Sequence, residues 1–224
     1  MEQLAQALLP LALGVAVSPI PIIAVLIMLL SERARVTGWG FLLGWILGIA
    51  VACCASILLG SVLEFRSGTW QSYTASLLAL LLGVLALVAA LRSWRRRPRL
   101  GQSPTLPRWL STADQLSIGR SAGLGVLLSV ANPKNLLLCQ AAGTEIAQSH
   151  LPVGQQAWAA LQFTAVAAIT VALPVLTHAA AKQGMSNPLN TLRTWLIAKS
   201  SAVTSILLIV IATVLIVRGI KGLS

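Results

Sequence analysis

A short polar stretch, Asn132-Pro133-Lys134-Asn135, interrupts a long apolar segment of this sequence. Proline cannot donate a backbone hydrogen bond, and asparagine favours turns. A lysine at the centre of a bilayer costs about 2.5–3.5 kcal/mol on insertion scales, so it needs a partner or a polar cavity. Because an ammonium group lies among amides here, the stretch predicts a site for an anionic or hydrogen-bonding head group.

A second proline-containing stretch, Ser18-Pro19-Ile20-Pro21, lies near the amino terminus. The segment LGVAVSPIPII aligns with LGVLLSVANPKNLLL when a gap of two residues is allowed. Paired, proline-interrupted segments in the two halves of a membrane protein indicate the binding site of a transporter. The alternative is that these prolines only kink their helices. The predicted substrate-binding residues are Ser18, Pro19, Pro21, Asn132, Pro133, Lys134 and Asn135.

Two further ionisable residues are candidates for coupling transport to an ion gradient, namely Glu145 and His178. Each has a structural alternative: His178 as a hydrogen-bonded helix residue, and Glu145 as an internal partner of Lys134. Eleven residues separate Lys134 from Glu145, which is about 16 Å in a helix. An internal pair therefore requires the helix break to shorten that path. Lys134 could also extend towards the membrane surface without any partner.

The composition indicates that most side chains lie in a lipid environment. Of 224 residues, 57% are hydrophobic and 9% are charged, with a mean hydropathy of +0.85. A soluble domain carries roughly a quarter charged residues. The net charge of +11 comes from cations between apolar blocks, which indicates membrane topology and contact with anionic lipids, and not nucleic acid.

The sequence lacks the residues that ATP hydrolysis, enzymatic catalysis or metal binding would need. The sequence contains no phosphate-binding GxxxxGK[ST] loop and no nucleophile with a base and a polar support, so we expect neither an ATP motor nor an enzyme. The acids and histidines are too scattered for a metal site, and no cofactor is expected. Cys53, Cys54 and Cys139 lie in apolar segments without a CxxC spacing, which is typical of inert buried thiols.

Six apolar blocks are long enough to cross a bilayer. An all-α membrane protein is therefore predicted, with two inverted three-helix repeats and broken helices in the first and fourth spans. The repeats are residues 1–94 and 121–224, joined by a basic cytoplasmic linker at residues 95–120. The predicted spans are 4–30, 37–63, 72–93, 121–147, 154–181 and 199–218.

The distribution of Lys and Arg predicts the orientation. Twelve of the 16 cations lie in the connections 1–2, 3–4 and 5–6, and three lie on the opposite side. Positive connections stay in the cytoplasm, so both termini are expected on the extracytoplasmic side of the plasma membrane.

Small residues spaced by four in the second span, Gly40, Gly44 and Gly48, predict a face where another helix packs closely. Most tryptophans lie near span ends, as in an aromatic belt. Trp45 lies deeper, where it could line the interior.

The chain resembles the lysine exporter superfamily in its six spans, its proline break in span one and its NPK break in span four. Within that superfamily, SPIPIIAVLIMLLSERARVTGWGFLLGW and PRWLSTADQLSIGRSAGLGVLLSVANPKNLLLCQAAGTEIA look most like the GAP family. Those are the peptidoglycolipid-addressing proteins of actinobacterial plasma membranes. The resemblance implies that the chain helps to move glycolipids across the inner membrane, with lipid synthases and large lipid transporters as partners.

The favoured hypothesis is a flippase-like exporter of envelope lipids that is driven by a gradient or by a partner. The alternatives are a small-solute exporter of the amino-acid type, and an assembly factor that does not itself transport. The scarcity of polar interior residues favours a lipid substrate over a solute. A homo-oligomer is compatible with the sequence.

Overall fold

The computed structural model describes residues 2–31, 33–64 and 116–180, together with single positions in 77–95 and 189–220; for residues 60–64 it describes only the backbone. Among these residues the secondary structure is helical, without strands. The part of the chain that the structure describes contains six continuous helices: α1 (Glu2–Ala16), α2 (Pro19–Leu29), α3 (Ala34–Glu64), α4 (Ile118–Val130), α5 (Pro133–Ala147) and α6 (Val153–Ala180). The helical fold class is confirmed for the described part.

Among the described residues, two helices are long and apolar enough to cross a membrane, at Ala34–Leu59 and Val153–Ala180. The pair α1–α2 bends by 55° and the pair α4–α5 by 71°, and counting each pair as one span raises the number to four. Helix breaks therefore lie where the sequence predicts them. Only single positions of the predicted spans 72–93 and 199–218 are described, and most of the linker lies outside the described residues.

The chain divides into two compact units. One comprises Met1–Gly60 and Pro104–Ala198, and the other comprises Ser61–Ser103 and Lys199–Ser224. These units have other boundaries than the two predicted repeats. The repeats were inferred from similarity between the two halves of the sequence, and they stay a prediction. In the second unit, Gly83 lies beside Ile216 and Ala212, so its two helical segments are in contact.

The glycines of α3 lie against α4. A Cβ atom added at Gly44 would overlap the carbonyl of Ala122, and one at Gly48 would overlap the Ser129 hydroxyl. Gly40 lies beside Ser121 in the same way. Contact positions advance together along both helices, so α3 and α4 are parallel. This approach of two backbones requires a residue without a side chain on α3.

Other contacts give the directions of the remaining helices in this unit. Gly14 of α1 contacts Leu138 of α5. Lys134 lies one turn before Leu138 on α5, and it bonds to Val17, which lies three residues after Gly14. Hence α1 and α5 are antiparallel. Gly38, near the start of α3, lies close to Val175, near the end of α6. The α1–α2 pair and α6 thus run one way, and α3 and the α4–α5 pair run the other.

The side chains divide into a buried core and an apolar exterior. Phe41 and Trp45 stack in the interior of the unit. On the same helix, Leu43, Leu47 and Val51 are more than half exposed. An exterior row of large apolar side chains at helical spacing suits contact with lipid, not water. The chain is therefore a membrane protein.

Candidate functional site

The first helix break comprises Val17 and Ser18. Pro19 is the first residue of α2, a position where its missing N–H costs nothing, whereas inside a continuous helix its ring would clash with a carbonyl one turn earlier. Ser18 is extended (φ −113°, ψ 105°) and its side chain does not cap α2. Instead, the Ser18 hydroxyl donates to Asn135 Oδ1 at 3.2 Å.

The second break has the same local construction. Ala131 and Asn132 separate α4 from α5, Asn132 is extended (φ −85°, ψ 110°), and Pro133 is the first residue of α5. Here the side chain does cap the helix, because Asn132 Oδ1 accepts from the Lys134 backbone N–H at 3.1 Å. Ser18 and Asn132 thus hold equivalent positions before their prolines.

Lys134 joins the two breaks. Its ammonium group donates to the carbonyl oxygen of Gly14 at 2.7 Å and to that of Val17 at 3.0 Å. The last carbonyls of a helix have no partner within the helix and carry the negative end of its dipole. A buried cation, only 4% exposed, therefore caps the end of α1. Thr170 of α6 satisfies the Ala16 carbonyl at 2.6 Å.

This geometry decides between the readings of Lys134. The ammonium is held inside the protein and does not extend to the surface. Lys134 and Glu145 lie on one continuous helix, α5, so the break does not shorten the path between them. The pair stays about 16 Å apart along the axis, so Glu145 is not the partner of Lys134. Internal pairing itself is observed, because the ammonium bonds to the carbonyls of Gly14 and Val17.

The structure brings together only some of the predicted site residues. Ser18, Lys134 and Asn135 contact one another or the adjoining backbone, and the prolines begin the helices that carry them. His178 lies eight residues beyond Thr170, about 12 Å from the first break towards one end of α6. Glu145 lies in the opposite direction, about 16 Å from Lys134 along α5. These two residues are not part of the cluster, and their coupling role stays a prediction.

Sequence reasoning missed the groups that complete the cluster. The carbonyls of Gly14 and Val17 carry no side-chain signal, and Thr170 resembles any other small residue of an apolar helix. The described residues include no group of three or more His, Cys, Asp or Glu side chains placed to hold a metal ion.

A family model described as "Sap, sulfolipid-1-addressing protein" matches residues 8–221. The chain belongs to this family. No curated protein and no solved structure matches the chain. Membership confirms the expectation of a lipid-addressing membrane protein, while a place for this sulfolipid-addressing family in the lysine exporter superfamily stays a prediction.

Proposed function

We propose that this protein is a flippase-like exporter that moves an envelope lipid across the plasma membrane, driven by a gradient or by a partner protein. The observation that carries the proposal is the contact between the two helix breaks through Lys134. Backbone outside a helix is tolerated at membrane depth only where it is buried in protein or lines a cavity. Broken helices that meet at one polar point are the arrangement that transporters use for binding.

The family supports a lipid cargo, because its description concerns the addressing of a sulfolipid. The polar groups at the breaks support a head group that accepts hydrogen bonds. The exposed apolar surface of α3 and α6 supports lipid chains that remain in the bilayer while the head group crosses. Lipid synthases or large lipid transporters would supply or receive that cargo.

The six-span arrangement with inverted repeats also belongs to this proposal. In the first unit, the exposed Arg33, Arg35 and Arg120 lie at the end where α3 and α4 begin. Glu2 and Glu145 lie towards the other end. This asymmetry supports a cytoplasmic basic end, with the two broken helices entering from opposite faces and both termini on the extracytoplasmic side.

The orientation is tested by cysteine labelling in intact cells, in a variant without Cys53, Cys54 and Cys139. We expect a membrane-impermeant maleimide to label Ser149→Cys without permeabilisation, and Ser103→Cys only after it. The reverse accessibility would place the basic end outside and contradict the proposed direction of export.

Transport itself is tested with the purified protein in liposomes. A fluorescent sulfated glycolipid is placed in both leaflets, and the fraction that an impermeant quencher reaches is followed with time. We expect the protein to raise that fraction above the value in protein-free liposomes, with or without an imposed proton gradient. A protein that leaves the fraction unchanged under both conditions would contradict autonomous transport and favour the assembly factor.

A further inference from the structure

The end of α1 corresponds to the place where transporters with broken helices hold a coupling ion. In such proteins, unwound backbone carbonyls and the C-terminal ends of half-helices coordinate Na⁺ or H⁺. Here the carbonyl oxygens of Gly14 and Val17 bind the Lys134 ammonium at 2.7 and 3.0 Å. The Thr170 hydroxyl engages the carbonyl of Ala16 at 2.6 Å. A cation that belongs to the chain itself therefore fills the place of a coupling ion.

This arrangement restricts which ion can be exchanged at the end of α1. A sodium ion would need the carbonyl oxygens that the ammonium and the hydroxyl already engage. The side chain of Lys134 is tethered and cannot leave, but an ammonium can release a proton. That proton is the ion that can come and go here while the carbonyls keep their partner.

Both protonation states of Lys134 are compatible with the site. The ammonium has three N–H donors, and the neutral amine would keep two, one for each carbonyl. The side chain is only 4% exposed, and its hydrogen bonds within the described residues go to main-chain carbonyls, not to a carboxylate. Proton exchange thus leaves neither carbonyl unsatisfied, and it changes the charge between the two breaks.

The other charged or titratable side chains described on α1 to α6 form no hydrogen bond or ion pair with Lys134. Glu145 is about 16 Å away along α5, and Glu2 lies about 18 Å before Gly14 on α1. His178 is about 12 Å from the first break. The set comprises Glu2 on α1, Arg35, Cys53 and Cys54 on α3, Arg120 on α4, Cys139 and Glu145 on α5, and His178 on α6, while α2 has none.

We propose that Lys134 is the proton carrier that couples export to a proton gradient, so that protons move inwards as lipid moves outwards. This rests on the proposed lipid export, and it names the coupling ion and the residue that carries it. The ammonium releases its proton to water on the cytoplasmic side, and the neutral amine takes up a proton from the extracytoplasmic side. No covalent bond to the lipid forms.

Coupling is measured in liposomes as the ratio of a fluorescent sulfated glycolipid between the outer and inner leaflets, read with a short pulse of an impermeant quencher. Valinomycin with equal K⁺ on both sides holds the membrane potential at zero. When the outside is about one pH unit more acidic, one-to-one exchange would raise the ratio towards about tenfold, the ratio of the proton concentrations. A sodium gradient of the same size should leave the ratio near its value without a gradient.

Two substitutions fix the charge at this position in opposite states. Arginine keeps its proton in proteins, and glutamine has none to exchange, but both can still donate to a carbonyl of α1. We expect Lys134→Arg and Lys134→Gln to equilibrate the lipid at equal pH, and to show no shift of the ratio under the pH gradient. Lys182→Arg, the same change in the predicted connection 5–6, is the matched control and should respond like the wild type, as should Glu145→Gln.

A wild-type ratio that follows the sodium gradient and not the pH gradient would overturn the proton as the coupling ion. A full response in Lys134→Arg or Lys134→Gln, or its loss in Glu145→Gln, would overturn Lys134 as the carrier. Loss of equilibration at equal pH in both Lys134 variants would leave the lysine as a structural cap alone, and so overturn the inference. Wild-type protein that equilibrates the lipid without responding to either gradient would overturn the coupling and spare the proposed function, whereas protein that moves no lipid would contradict both.

Discussion

Replacing Lys134 with methionine is expected to lower the melting temperature of the purified protein by about 5 °C or more and to abolish transport. Methionine fills a similar volume but cannot donate, so the carbonyls of Gly14 and Val17 lose their partners in an apolar environment. Each buried carbonyl left unsatisfied costs about 1–3 kcal/mol, and a stability change of 1 kcal/mol shifts the melting temperature of a chain of this size by about 2–4 °C. Thermal unfolding in detergent and the liposome assay measure the two effects.

Two further variants distinguish the cap on α1 from the rival explanation, in which Lys134 pairs with Glu145. Lys134→Arg keeps a cation that can donate to both carbonyls, so it should retain part of the stability, although a planar guanidinium fits the site less well than an ammonium. Adding Glu145→Gln to Lys134→Met should not restore stability, because Glu145 is not the partner. Recovery in that double variant, or a Lys134→Met protein as stable and active as the wild type, would contradict the cap on α1.

Replacing Gly44 with alanine is expected to reduce the amount of folded protein in the membrane severely. The added Cβ atom would overlap the backbone carbonyl of Ala122, and a backbone cannot move aside as a flexible side chain can. Overpacking of this kind costs about 1–3 kcal/mol, and separation of α3 from α4 would also disturb the second break. Abundance after mild detergent extraction, with size-exclusion chromatography, measures the effect.

Gly123→Ala is the matched control, since it lies on α4 and a Cβ atom there would meet nothing within 4 Å. Alanine favours the helix over glycine by roughly 1 kcal/mol, so Gly123→Ala should express at least as well as the wild type. Equal loss of folded protein in both variants would contradict the close packing of α3 on α4.

The sequence predicts the helix breaks well because their cause is local. Pro19 and Pro133 lack the N–H that a continuous helix needs, whatever surrounds them. The glycine spacing in α3 is also local, and it predicts close packing but not the partner helix. That partner, α4, lies some 80 residues further along the chain, and nothing in the spacing encodes it.

The partners of the buried cation could not be predicted for a different physical reason. Lys134 binds main-chain carbonyls 117 and 120 residues away. Every residue has a main-chain carbonyl, and those inside a helix are already hydrogen-bonded, whereas the last carbonyls of a helix are not. Only the three-dimensional meeting of the two breaks exposes these acceptors to a lysine. Likewise, the sequence identifies Trp45 only as a deep apolar residue. That its N–H has no partner among the described residues is known only from its neighbours in the structure.

The contact between the two breaks is tested most directly by a disulfide cross-link between α1 and α5. Gly14→Cys and Leu138→Cys are introduced together in a variant without Cys53, Cys54 and Cys139. A Cβ atom at Gly14 would lie 2.9 Å from Leu138 Cδ1 and 3.9 Å from Leu138 Cγ, so the two positions face each other across the contact between α1 and α5. Each single cysteine variant is the control.

The measurement is lipid transport in liposomes before and after reduction of the cross-link. If the breaks meet as described, the double variant forms an intramolecular disulfide under mild oxidation. If the breaks must also separate for a head group to pass, the disulfide blocks transport. We expect the double variant to stop transporting until a reducing agent restores activity, while the single variants are indifferent to both treatments. Failure to cross-link would contradict the contact between the breaks, and full transport by the cross-linked protein would contradict their role as the moving site.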